Sequence, residues 1–81
     1  MREWNTAEEV MNEIRNYRQW MLRRIGGKKM AVYLGEREMK LLKDSNSELF
    51  EYEIETDIHT IFGMEIFEVK TNEPHIRVFR R

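Results

Sequence analysis

Phe50-Glu51-Tyr52-Glu53-Ile54-Glu55-Thr56-Asp57-Ile58 alternates apolar and acidic side chains with a period of two. Successive side chains of an extended backbone point to opposite sides, so this period marks a β-strand with one face packed and the other wet. The stretch reads as one unbroken strand. Phe50, Tyr52, Ile54 and Ile58 turn inward, and Glu51, Glu53, Glu55 and Asp57 turn outward.

Downstream, His59 to Gly63 reads as a break, followed by a strand at Met64-Glu65-Ile66-Phe67-Glu68-Val69. Thr71-Asn72-Glu73-Pro74 has turn composition, and His75-Ile76-Arg77-Val78-Phe79-Arg80 is the last strand. Three late strands with short connections predict an antiparallel meander. Upstream, Lys29 to Leu34 reads as a short strand, Gly35 as a turn, and Glu36 to Lys43 as a short helix, followed by a polar loop over Asp44-Ser45-Asn46-Ser47.

The first element is set by its cap. Thr6-Ala7-Glu8-Glu9 fits the S/T-x-x-E capping box, with the Thr6 hydroxyl on the Glu9 amide and the Glu9 carboxylate on the Thr6 amide. Val10, Ile14, Tyr17, Met21 and Ile25 then recur at helical spacing, opposite Glu8, Asn12, Arg15, Gln19 and Arg23. Gly26-Gly27 ends the helix. The expected fold is α+β: an N-terminal amphipathic helix packed on a small, mostly antiparallel sheet, in the order α-β-α-β-β-β. Residues 1–81 form a single domain, without repeat or linker.

The chain has 81 residues, of which 41% are hydrophobic and 36% charged, with a formal net charge of −1. A chain this short buries a modest core and needs further support. It has no cysteine for disulfides and only two histidines, which leaves self-association as the expected support. No stretch approaches the roughly 20 apolar residues of a membrane span, and no signal peptide opens the sequence, so a cytoplasmic protein without a membrane partner is expected.

Catalysis and cofactors find no motif. The serines, Ser45 and Ser47, lie in a polar loop, and there is no nucleophile elbow or phosphate loop. Gly26-Gly27-Lys28-Lys29 follows a helix and lacks the G-x-x-x-x-G-K-[ST] spacing. Asp57-Ile58-His59, with Glu73 and His75, has no tight metal-ligand spacing. The chain reads as a non-enzyme without metal or cofactor.

Three groups remain as candidate binding residues. On one strand, Glu51, Glu53, Glu55 and Asp57 would form a row of carboxylates about 7 Å apart, spaced like backbone phosphates and suited to a protein partner. The plainer alternative is a solvated strand face, neutralised by Arg77, Arg80 or Lys70 on a neighbour. Between Arg15 and Lys29 every charged residue is basic: Arg15, Arg18, Arg23, Arg24, Lys28 and Lys29. Beside Tyr17 and Trp20 these form an alternative, nucleic-acid or nucleotide-binding surface, against which stands the slightly negative net charge. From Asp44 to Glu73, nine acids face one base, Lys70, and such segregation favours association with another copy. Trp4 and Trp20 are candidate interface aromatics, with core positions as the alternative.

Ala31-Val32-Tyr33-Leu34-Gly35-Glu36-Arg37-Glu38-Met39-Lys40-Leu41-Leu42-Lys43, with Ile61-Phe62-Gly63-Met64-Glu65-Ile66-Phe67-Glu68-Val69 and His75-Ile76-Arg77-Val78, resembles a pattern of small tailed-bacteriophage or prophage proteins. The order of strand, short helix and strand is also similar to a segment of tailed-phage capsid subunits, although the chain is far too short to be one. The resemblance covers about half of the chain and carries no functional residue with it. It implies a phage accessory protein acting in the host cytoplasm. The leading expectation is a non-catalytic protein-interaction module, homo-oligomeric, that binds and inhibits a host or defence protein. A nucleic-acid-binding protein and a minor virion or assembly component are the alternatives.

Overall fold

A computed structural model describes residues 3–26 and 29–81. Helix α1 (Ala7–Ile25) is followed by β1 (Met30–Gly35), α2 (Glu36–Lys43), β2 (Phe50–Glu53), β3 (Ile58–Ile61), β4 (Met64–Val69) and β5 (Ile76–Arg80). The five strands form one mixed sheet in the order β2-β3-β4-β1-β5. The α+β class read from the sequence is the class observed.

The capping box closes differently from its expected form. The Thr6 hydroxyl accepts the Glu9 amide at 3.1 Å, and donates to Glu9 Oε1 at 3.2 Å. At the far end the Gly26 amide, at φ 70°, bonds the Leu22 carbonyl at 3.0 Å. Val10 and Ile14 are fully buried, and Tyr17, Met21 and Ile25 pack on the rim of the core. Met39 and Leu42 of α2 enter the same core, as do Val32, Leu34, Ile61, Met64, Ile66 and Val78 of the sheet. Both helices therefore cover one face. Each fully buried aliphatic side chain there contributes about 1.5–3 kcal/mol.

The meander holds only through β2, β3 and β4, which pair antiparallel in sequence order. β1 is the penultimate strand, parallel to β4 and antiparallel to β5. An unbroken apolar run such as Met30-Ala31-Val32-Tyr33-Leu34 suits a strand with neighbours on both sides, and Ala31, Val32 and Leu34 are all fully buried. The chain between β4 and β5 must pass over the end of β1, and Gly35 marks that crossing. Its amide donates to the His75 carbonyl at 2.9 Å. Buried Glu38 accepts the His75 amide on Oε1 at 3.0 Å. A Cβ on residue 35 would stand 2.5 Å from that oxygen and 3.2 Å from the Glu73 carbonyl.

The run from Phe50 to Ile58 is not one strand. Glu53 pairs with Ile58, so Ile54 to Asp57 form a hairpin turn, with Asp57 at φ 55° and Ile54 82% exposed. Aspartate tolerates the left-handed region, and the Tyr52 hydroxyl donates to Asp57 Oδ1 at 2.6 Å across the turn. Folding back also relieves the repulsion that a straight row of four carboxylates would impose. The expected break from His59 to Gly63 shrinks to Phe62-Gly63. Both have positive φ, 51° and 77°, as a two-residue hairpin turn matched to strand twist requires.

Candidate functional site

No described element lies over the second face of the sheet. Strand register fixes what stands on it. One cross-strand row runs Glu51, Thr60, Glu65, Ala31, Phe79, and the next carries Phe67, Tyr33 and Arg77 on the three strands β4, β1 and β5. Alternation puts Tyr33, Phe67 and Phe79 opposite in sense to the core residues Val32, Ile66 and Val78.

The three rings form one cluster. Tyr33 and Phe79 stack with centroids 4.4 Å apart and planes 17° apart, while Phe67 lies 5.9 Å from Tyr33 and 6.0 Å from Phe79, tilted against both. The Arg81 guanidinium lies 5.4 Å from the Phe67 centroid and bonds Glu65 Oε1 at 2.6 Å. Tyr33 remains 37% exposed, and the other two rings are half-buried. Beside the cluster is a hollow of about 370 Å³ lined by Tyr33, Val69, His75, Arg77 and Phe79.

Charge is graded across this face. Glu51 and Glu53 project from β2 at one edge and, with Ile58 and Thr60, border a hollow of about 390 Å³. Arg77 stands on β5 at the opposite edge, and Arg81 follows it. At about 4.8 Å per strand the two edges are some 19 Å apart.

The four expected carboxylates are thus divided: Glu51 and Glu53 stay on a strand, whereas Glu55 and Asp57 belong to the hairpin turn. The bond to Asp57 holds the Tyr52 hydroxyl above its usual pKa, with burial and the Asp57 charge acting in the same direction. His59 stands between two rings on the helix side, 5.3 Å from Phe50 and 4.4 Å from Tyr52. Burial, and next the Lys43 charge, lower its pKa, against smaller opposing effects of Asp57 and Glu68. His75 precedes the opposite edge strand, so the Asp57, His59 and His75 constellation is not assembled. Among the described residues no group of three or more His, Cys, Asp or Glu side chains could hold a metal ion.

The basic residues of the helix do not make one surface. At about 100° per residue, Arg15 and Arg18 fall at one edge of the buried stripe, Arg24 at the other, and Arg23 outward between them. Arg15 lies 5.4 Å from the Phe62 ring centroid and Arg24 4.4 Å from that of Trp20. Arg18 and Lys29 border one hollow at the end of the sheet. Lys28 lies outside the described residues. The two tryptophans separate as well. Trp4 is a core residue at 8% exposure, whereas Trp20, 50% exposed, is held between Arg24 and the edge-on Tyr17 ring.

The aromatic cluster escaped the sequence reading. Its signal is parity, because the three rings alternate with core residues on three strands of a sheet whose helices suffice for one face. No described helix is long and apolar enough to cross a membrane. No protein-family model, curated protein or solved structure matches the chain.

Proposed function

We propose that this chain is a non-catalytic protein-interaction module whose working surface is the bare face of its sheet, and whose first partner is a second copy of itself. The observation that carries this reading is the aromatic cluster of Tyr33, Phe67 and Phe79, standing between an acidic edge strand and a basic one. A two-fold axis parallel to the strands and centred on β4 lays each copy's β5 over the other's β2. Arg77 and Arg81 then meet Glu51 and Glu53, and Tyr33 meets Ile58. An axis across the strands would set like charge on like, which disfavours that mode. A standard interface of about 800 Å² per partner takes roughly one seventh of the 5759 Å² of accessible surface.

The ring geometry favours protein over nucleic acid. Tyr33 and Phe79 spend one face each on the other, whereas a base-stacking platform needs faces turned outward. The phage-like segments extend the reading to a dimer that blocks a host or defence protein, with Glu55 and Asp57 at the hairpin tip as its outer contact.

The test is the mass in solution over a range of concentrations. A species of twice 10.0 kDa is expected. Glu53→Lys weakens it at least tenfold, and adding Arg77→Glu restores it. A strict monomer throughout, or a charge swap that fails to rescue, would overturn the reading.

A further inference from the structure

A third hollow, of about 460 Å³, lies where the second half of α1 passes the start of β1, the Phe62-Gly63 turn and the end of β5. It is larger than the two on the sheet face. Its wall has two chemistries. Leu22, Met30 and Phe62 supply apolar surface, while Arg18, Lys29 and Arg81 supply cations. Glu65 is the only carboxylate among the lining residues, and it is engaged by Arg81 at 2.6 Å. Three positive side chains and one negative leave the hollow with a net charge of two positive.

Those two charges have no internal answer. The ion pairs among the described residues involve neither Arg18 nor Lys29. The Nε of Arg18 is closed off from solvent and has no hydrogen-bond partner among the described residues. A guanidinium held against the protein without a counter-ion carries a desolvation cost that an incoming anion can offset. A concave, partly apolar site with a few convergent polar groups is the usual form of a small-molecule site.

We propose that this hollow binds a small organic phosphate, its phosphoryl oxygens held by Arg18 and Lys29 and its apolar body laid on Leu22, Met30 and Phe62. A phosphate monoester fits because the guanidinium fork takes two of its oxygens at once and Lys29 adds a point charge. The apolar wall calls for a ligand that is more than the bare anion. Ile58 and Arg81 border both this hollow and the proposed dimer contact, but Arg18 and Lys29 lie outside that contact, so variants at these two positions test the site separately from self-association.

Phenyl phosphate is the probe, titrated into the isotopically labelled protein while the amide resonances of Lys29, Thr60 and Gly63 are followed. Saturable shifts at these positions are expected, with inorganic phosphate at least tenfold weaker and benzyl alcohol without saturable effect. Arg18→Gln weakens phenyl phosphate at least tenfold. Lys29→Gln, on an exposed side chain, serves as a second variant should Arg18→Gln fail to fold. The proposal is overturned by the absence of saturable shifts or by folded variants that bind like the parent. Equal binding of inorganic phosphate, or saturable binding of benzyl alcohol, overturns it as well.

Discussion

Gly35→Ala tests the crossing of β1 by the chain that leads into β5. The added methyl would stand 2.5 Å from Glu38 Oε1, well inside van der Waals contact, and 3.2 Å from the Glu73 carbonyl. Glu38 can give way only by releasing the His75 amide, which it holds at 3.0 Å. The cost is therefore that of an unpaired buried donor, about 1–3 kcal/mol. A domain of this size has about 4–12 kcal/mol in all, so the loss is large. With a urea dependence near 1 kcal/mol per molar, the unfolding midpoint falls by about 1–3 M. Glu38→Ala removes the same bond at a similar cost. Adding Gly35→Ala to it then costs less than it does alone, since the nearest oxygen is gone and only the 3.2 Å approach to the Glu73 carbonyl remains to be relieved. The coupling between the two sites is expected to be about 1–3 kcal/mol in a double-mutant cycle, measured by urea unfolding. Strict additivity, or a Gly35→Ala midpoint equal to that of the parent, would refute the reasoning.

Other consequences can be measured in the same way. His59 has a lowered pKa in the folded chain, so the unfolded chain binds the proton more tightly. Its contribution is intact above the unfolded value near 6.5 and is lost as pH falls through the folded one; stability measured from pH 8 to pH 5 should drop less in His59→Gln. Asp57→Ala, at a left-handed position, should lose about 1 kcal/mol, and Asp57→Asn about half of that or less. In Asp57→Asn the Tyr52 phenol, followed by ultraviolet titration, should also move down toward 10.0, and an unchanged titration would sink the assigned cause. Ile14→Ala should cost about 2–5 kcal/mol and Trp20→Ala under about 1 kcal/mol; equal losses would contradict the assignment of Trp20 to the surface.

The helix was legible because its apolar spacing and its caps agree, and α1 runs from Ala7 to Ile25 as the capping box and Gly26 require, Gly27 lying outside the described residues. The strands were legible in kind and less so in extent. Alternation from Phe50 to Ile58 continues through a four-residue turn, since Ile54 keeps the period while projecting into solvent. Periodicity records which way side chains point and is blind to a chain that folds back in step with it. Strand order was hidden for another reason. The pairing of β1 with both β4 and β5 joins residues far apart in sequence, and only the unbroken apolar run hinted at two neighbours. Of the candidate residues, Arg18 and Lys29 meet at one hollow, while Arg15, Arg23 and Arg24 scatter around the helix. The acidic row is divided rather than straight, Glu51 and Glu53 remaining on β2 while Glu55 and Asp57 pass into the turn.

The placement of β1 also sets a timetable. Its residues leave the ribosome 34 positions before β4 and 46 before β5, counted from the first residue of each, and β5, the outer partner, comes last of the described elements. Until then Ala31, Val32 and Leu34 have no ladder on either side, and helix α1 has little sheet to settle on. Pairing across such separations is slow because the loop must close before any contact rewards it. A half-made chain is thus a bare apolar strand with two open edges, and one shortened before Ile76 would keep one of them open. A shortened chain that aggregates more than the parent at equal concentration is what this order of events implies.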